Sequence, residues 1–177
     1  LQPLKIFEQR YLDMAAACMK DNSPFGICLI DKGGEVGRAA VPHGVGTLAT
    51  ITNWEMEQLG ILMITAQGGR RFRIIETQVG DGHLLEGTVE LLAEAGPTPL
   101  PQERERLLPL LQRIVGDLGP ERIPEPHRYD DAEWVGYRIT EVLPIQNLAK
   151  QKLLELDDPL ARLEILEKYL SQRKLLG

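Results

Sequence analysis

Hydrophobic and polar positions follow two periods along this chain, and the change falls across Gly96-Pro97-Thr98-Pro99-Leu100-Pro101. At the front, an extended apolar entry leads into a short amphipathic helix. Phe7, Tyr11, Met14, Ala15, Cys18 and Met19 recur there at the spacing that 3.6 residues per turn demands. Asp21-Asn22-Ser23-Pro24 ends it, turn formers closing with a residue that cannot continue a helix. Phe25 to Ile30 is then an apolar run of strand length, and Lys32-Gly33-Gly34-Glu35 reads as a turn. Val45, Thr47, Ala49 and Ile51 alternate with Gly46, Leu48 and Thr50, the signature of a strand with two unlike faces. Glu55 to Gly60 reads as a hairpin connection, and Ile61 to Ala66 as a nearly continuous apolar strand. Gly68-Gly69 predicts a second turn into Arg70 to Thr77. Asp81-Gly82 predicts a hairpin into a last strand from Leu84 to Leu92.

Beyond Pro101 the period is helical. Glu103 to Leu118 predicts one helix stopped by Gly119-Pro120. Asp130 is placed to cap the next, with Glu133 at its third position and Pro144 past its end. A further helix is expected from Gln146 to Leu156. Asp158 caps the last, with Pro159 in its first position and Leu160, Leu163, Leu166 and Leu170 on its buried stripe. The pattern therefore predicts an α+β chain. Residues 1–95 carry five or six short strands and one helix near 8–20, the makings of a small barrel or sandwich. A six-stranded pseudo-barrel of mostly antiparallel strands is expected there, and a helical subdomain over residues 96–177. Nothing between the strands resembles a crossover helix, which argues against a parallel sheet.

Composition narrows the function. A single fold of 177 residues buries roughly 70% of its unfolded surface, so neither disulfides nor a structural metal is required. Cys18 and Cys28 are expected as free, sheltered thiols, the state typical of a reducing compartment. The formal charge of −6 weakens a nucleic-acid reading, since phosphate contacts need clustered Lys and Arg. No run reaches the ~20 apolar residues of a membrane-spanning helix, and no secretory leader is evident. The expected location is the cytoplasm.

Few residues suggest chemistry. Ser23 sits in a turn and Ser171 near the end of the last helix, neither in an elbow that would activate a nucleophile. His43, His83 and His127 lie in turns or loops. Asp81 and His83 supply two metal ligands at most where a site needs three or four, so no metal and no cofactor is expected. His127-Arg128-Tyr129-Asp130 lacks the glycine-rich and Asp-Phe-Gly partners of a kinase. Arg70, Arg71 and Arg73 form the one basic cluster, with Arg71 and Arg73 on a shared strand face. They read either as a solvated face balanced by Glu76 or as a grip for a phosphate backbone or acidic peptide. Trp54, Met56 and Leu59 surround the hairpin tip. Trp54 reads either as an exposed anchor or as a side chain packed on its neighbours. Trp134 is expected in the core.

Several ordered patches carry a family resemblance. "LKIFEQRYLDM" (4–14), "FGICLI" (25–30), "VGTLATI" (45–51) and "GRRFRI" (69–74) resemble the strands and first helix of the substrate-binding N-terminal domain of Lon-type ATP-dependent proteases. "VLPI" (142–145), "KQKLLE" (150–155) and "DPLARLEIL" (158–166) resemble its helical part. Each patch alone is weak; their order over nearly the whole chain is specific. The family opens on an apolar-proline strand. Since Leu1 rather than a methionine starts this sequence, most of that strand is expected to be missing, leaving an exposed sheet edge.

The resemblance implies a PUA-like barrel and a non-catalytic, stand-alone module that binds unfolded or tagged polypeptides, associated with ATP-dependent protease machinery. An extended peptide would add to an open barrel edge while an apolar patch takes its side chains. The sequence carries neither a GxxxxGK[ST] phosphate loop nor a Ser-Lys pair, so neither ATP hydrolysis nor proteolysis is expected of it. The candidate peptide-binding residues are Trp54, Met56, Leu59, Arg70, Arg71 and Arg73. Two alternatives stand beside this reading: a small enzyme whose site lies in a missing N-terminal segment, and a PUA-like RNA-binding module, which an acidic chain without aromatic platforms beside its arginines disfavours.

Overall fold

The computed structural model describes residues 1–34, 37 and 39–176. It combines helices with antiparallel sheets and divides into two compact units, residues 1–92 and 93–177. The predicted turn Lys32 to Glu35 is described only as far as Gly34.

The first unit holds seven strands among its described residues rather than six. β1 (Gln2–Ile6), β2 (Phe25–Ile27), β5 (Val45–Gln58), β6 (Ile61–Val79) and β7 (Leu85–Leu91) share one sheet, and β3 (Ile30–Lys32) pairs with β4 (Val41–Pro42). The apolar run from Phe25 to Ile30 is thus split between two sheets. β1 lies antiparallel to Leu62–Ala66 of β6. α1 (Gln9–Asp21) covers part of one face. Its inward stripe begins at Arg10 rather than Phe7, which precedes the helix and is exposed. Arg10 donates to the His83 carbonyl at 3.0 Å and to Glu8 at 3.2 Å, which pairs its buried charge while its Nε stays without a partner among the described residues. The His83 backbone carbonyl thereby helps hold the Arg10 guanidinium.

The largest departure from the predicted turns is the length of β5 and β6. Gly68-Gly69 does not reverse the chain. Neither glycine uses the positive φ that a tight turn exploits, and β6 runs through them. The reversal lies at Leu59-Gly60, where Gly60 has φ 83° and Gln58 faces Ile61. The glycine pair instead marks an irregularity. Between the Thr47–Arg71 and Ala49–Gly68 pairs, β6 carries one residue more than β5. One edge of β6 then serves two partners, β1 along Leu62–Ala66 and β7 along Phe72–Val79. Phe72, 3% exposed, is buried where β2, β5 and β6 meet. A Cβ on Gly26 or Gly46 would lie 2.9 or 2.7 Å from its ring, so both glycines make room for it. The Asp81-Gly82 hairpin forms as expected, with a 3-10 turn over Asp81–His83.

In the second unit, α3 (Ala132–Val142), α4 (Asn147–Glu155) and α5 (Pro159–Gln172) occupy the expected stretches. The helix predicted from Glu103 starts later. Gln102–Leu107 is a 3-10 segment and α2 covers Leu108–Leu118, with Pro109 in its first turn where a missing N–H costs nothing. The cap of α3 is Asp131, not Asp130, and its carboxylate accepts from the Glu133 N–H at 3.1 Å. Leu160 is exposed, and Arg162 takes its place on the buried stripe of α5. That guanidinium is 1% exposed; it donates to the Leu153 carbonyl at 3.0 Å and to that of Leu156, and lies 4.2 Å from the Tyr137 ring centre. Trp134 lies beside the helical core, edge-on to Tyr129. Among the described residues, no helix is long and apolar enough to cross a membrane.

Candidate functional site

The β5–β6 hairpin leaves apolar surface in water, as do Phe7, Val41 and Leu91 elsewhere in the first unit. Trp54 is 55% exposed, Met56 44% and Leu59 95%. Their position follows from one irregularity in β5. Ile51 pairs with Ala66 and Asn53 with Thr65, so Thr52 is an extra residue, and its hydroxyl donates to the Thr65 carbonyl at 3.2 Å. Before this bulge the odd-numbered positions face the core; after it, Trp54 pairs with Ile64 and shares its face. Ile64 is 2% exposed, whereas Trp54 lies where the cover of α1 has run out. The two sequence readings of Trp54 therefore merge. It continues the core face of the sheet and stays half in solvent.

The end of α1 makes the facing wall. Asn22 ends the helix in a left-handed conformation, φ 51° and ψ 44°, which asparagine tolerates, and the Ser23 N–H bonds the Cys18 carbonyl at 3.0 Å. Pro24 then sends the chain into β2. Between Met19, Asn22 and Ser23 on one side and Ile51 to Trp54 on the other lies an open groove of about 200 Å³. Cys18 lines its floor, buried, with its thiol 3.9 Å from the Pro24 carbonyl. Cys28 is also free but only partly buried, and desolvation pushes its thiol above the ordinary cysteine value.

The arginines are elsewhere. Arg71 pairs with Thr47 and Arg73 with Val45, seven or more residues along β5 from Trp54, on the order of 20 Å at strand rise. Arg71 is 8% exposed and so is not on a solvated face with Arg73. Arg70 is exposed and donates to the Leu92 carbonyl at 3.0 Å, and Arg73 is paired across the ladder with Glu90. The structure thus gathers Trp54, Met56 and Leu59 and separates them from the basic cluster. Met63, 40% exposed and opposite Glu55, lies on the other face of the hairpin from Trp54. Period two across Ile61–Ala66 carried that signal, since Leu62, Ile64 and Ala66 are the buried set. The groove wall at Asn22 and Ser23 left no signal beyond helix termination. No group of three or more His, Cys, Asp or Glu converges among the described residues.

An antiparallel barrel-like sheet bearing an open apolar hairpin, joined in sequence to a helical unit, defines a binding module of mixed α and β structure. The chain belongs to the ATP-dependent protease La (LON) substrate-binding domain family, whose model matches residues 1–172. It is similar to the crystal structure of a Lon N-terminal domain protein from Xanthomonas campestris, with 33% identity and a TM-score of 0.77 over 95% of this chain and 88% of that one. The N-terminal domain of a Mycobacterium avium complex Lon protease shares the fold at 19% identity, with a TM-score of 0.59 over 96% of this chain and 90% of that one. No curated protein matches the sequence.

Proposed function

We propose that this chain captures unfolded or extended polypeptide in the cytoplasm and works alongside ATP-dependent proteolysis, with the β5–β6 hairpin as its contact surface. Family membership supports the class of function, and the exposure of Trp54, Met56 and Leu59 is the observation that favours the hairpin as the contact surface. An aromatic anchor beside a flexible thioether suits ligands of variable sequence, because methionine repacks around different side chains at little cost. The carboxylates of Glu55 and Glu57 keep the arm solvated when it is empty. In this reading the sheet unit is a PUA-like pseudo-barrel that holds the ligand, and nucleotide hydrolysis and peptide cleavage belong to a separate machine. Arg70 and Arg73 are a second contact region, reached only by a ligand long enough to follow the sheet.

The test is a double substitution. Trp54→Ala with Met56→Ala is expected to weaken capture of a denatured protein by ~1–3 kcal/mol, the range of ordinary anchors, while the melting temperature stays nearly unchanged. Equal capture by a folded double mutant would move the contact away from the hairpin, and Arg70→Ala with Arg73→Ala would be examined next.

A further inference from the structure

The outer ladder of β5 is only partly used. β2 pairs with Thr47, Leu48 and Ala49 and no further, so from Thr50 to Gln58 that edge has no strand beside it among the described residues. Thr52 to Gln58 are all exposed. Exposed edges of this length are usually guarded by lysine, proline or a covering element, because their free N–H and C=O groups recruit other chains. Thr50–Gln58 contains neither lysine nor proline; its protection is limited to Glu55, Glu57 and the register shifts at Thr52 and between Glu55 and Gln58, and the groove ending at Trp54 opens beside it.

We infer that Thr50–Gln58 is a strand-addition site for an extended segment in which basic and apolar side chains alternate. The inference rests on the polypeptide-binding reading above and specifies how and what the module binds. Side chains of an added strand lie beside those of β5 on the same face. On the face of Trp54 and Met56 they meet apolar surface; on the other they meet Glu55, and the register shift between Glu55 and Gln58 places Glu57 at the end of this stretch. From Asn53 to Gln67 the hairpin carries those two carboxylates and no Lys or Arg, so its charge is uncompensated within the arm. A second copy of the chain fits poorly in the registers centred on residues 55–57, where two such edges paired antiparallel would set Glu55 and Glu57 against the same residues of the other copy. A basic-apolar segment neutralises them and extends the sheet where β2 stops.

The experiment uses the full chain and ten-residue peptides alternating lysine with valine or phenylalanine. Their controls carry glutamate for lysine, or N-methyl groups on alternate amides in one register or the other. Calorimetry is expected to show the lysine peptide binding about tenfold tighter than the glutamate peptide, as two cross-strand charge pairs imply. N-methylation is expected to weaken binding about tenfold or more in the register facing β5 and little in the other, since it removes ladder hydrogen bonds without touching side chains. Hydrogen exchange should gain protection at alternate amides within Thr50–Gln58. Glu55→Gln with Glu57→Gln should abolish the preference for lysine and keep the sensitivity to N-methylation.

Capture of denatured protein with indifference to N-methylation in both registers would overturn strand addition and leave the proposed function standing. Failure to bind either the peptides or denatured protein would remove both. Protection of the same amides on raising the protein concentration alone would replace the peptide with a second copy and overturn the inference.

Discussion

The two units bury their hydrophobic residues differently. In the helical unit one cluster gathers Leu107, Leu111, Val115, Ile123, Val135, Ile139, Leu163, Leu166 and Leu170, each at most 5% exposed. In the sheet unit the cluster under α1 reduces to Ile6, Ala15, Leu62 and Ile64, with Phe72 set apart between Gly26 and Gly46. The same unit leaves Trp54, Met56, Leu59, Met63, Ile75, Val79 and Leu91 substantially in water. A helix offers one stripe, which its neighbours can cover completely. A long hairpin offers two faces, and a single 13-residue helix covers only part of one. The helical unit also leaves Leu148, Ile165 and Leu175 about half exposed, but these lie outside its core stripes, whereas in the sheet unit the exposed residues continue the strands of the core itself.

The strongest way to break this comparison is to excavate both cores. Leu163→Ala removes a fully buried side chain from the helical cluster and is expected to cost about 2–5 kcal/mol in urea unfolding. Gly46→Ala attacks the sheet unit from the opposite direction. Its new methyl would meet the Cys28 Sγ at 2.5 Å, the Ile27 carbonyl at 2.6 Å and Phe72 at 2.7 Å, contacts that a backbone oxygen cannot relieve by rotating away. The expected loss is about 1–3 kcal/mol. If Gly46→Ala proved neutral, the barrel around Phe72 would be looser than its geometry implies, and the contrast between the units would deepen. A smaller effect tests the exposed hairpin: Leu59→Ala, at 95% exposure, is expected to change stability by no more than ~0.5 kcal/mol. A larger loss would show that the tip is covered in solution.

Legibility from sequence divides along the same line. Helix positions in the second half came through because their stripes and stops are local: Gly119 after α2, Pro144 after α3, Asp158 and Pro159 at the start of α5. The slips there were of a few residues, Asp131 for Asp130 and the delayed start of α2. Arg162 was missed on the buried stripe because a charged residue enters a core only when neighbouring carbonyls are arranged to receive it, which no local pattern encodes. In the first half, Gly68-Gly69 looked like a turn because glycine pairs commonly are, whereas here they ease a bulge in a 19-residue strand. Trp54, Met56 and Leu59 were legible as an apolar, acidic-flanked tip. The split of the arginines was not, since Arg71 is buried through contacts that depend on how the sheet curls.

The smallest expected effect probes how thoroughly the helical unit excludes water. Glu133 follows the cap of α3, and burial raises its carboxyl above the ordinary glutamate value, with Asp131 adding to the rise. Arg162 and the Ala95 backbone act in the opposite sense without cancelling it. A carboxyl whose pKa is raised on folding holds its proton longer in the native state. The native state then binds more protons than the unfolded one as pH rises through the carboxylate range, and stability falls. Below both values there is no penalty; above the raised value it is complete. Glu133→Gln is therefore expected to raise stability at pH 7 by a few tenths of a kcal/mol, a figure reduced because the group keeps solvent contact. The gain should vanish at about pH 3, where both residues are neutral. The cap itself should survive, since Asp131 accepts from the backbone N–H of residue 133 and not from its side chain. Urea midpoints at the two pH values give the comparison. A variant less stable at pH 7 would mean that the ionised carboxylate is held by Arg162 and that the helical unit tolerates charge at its margin after all.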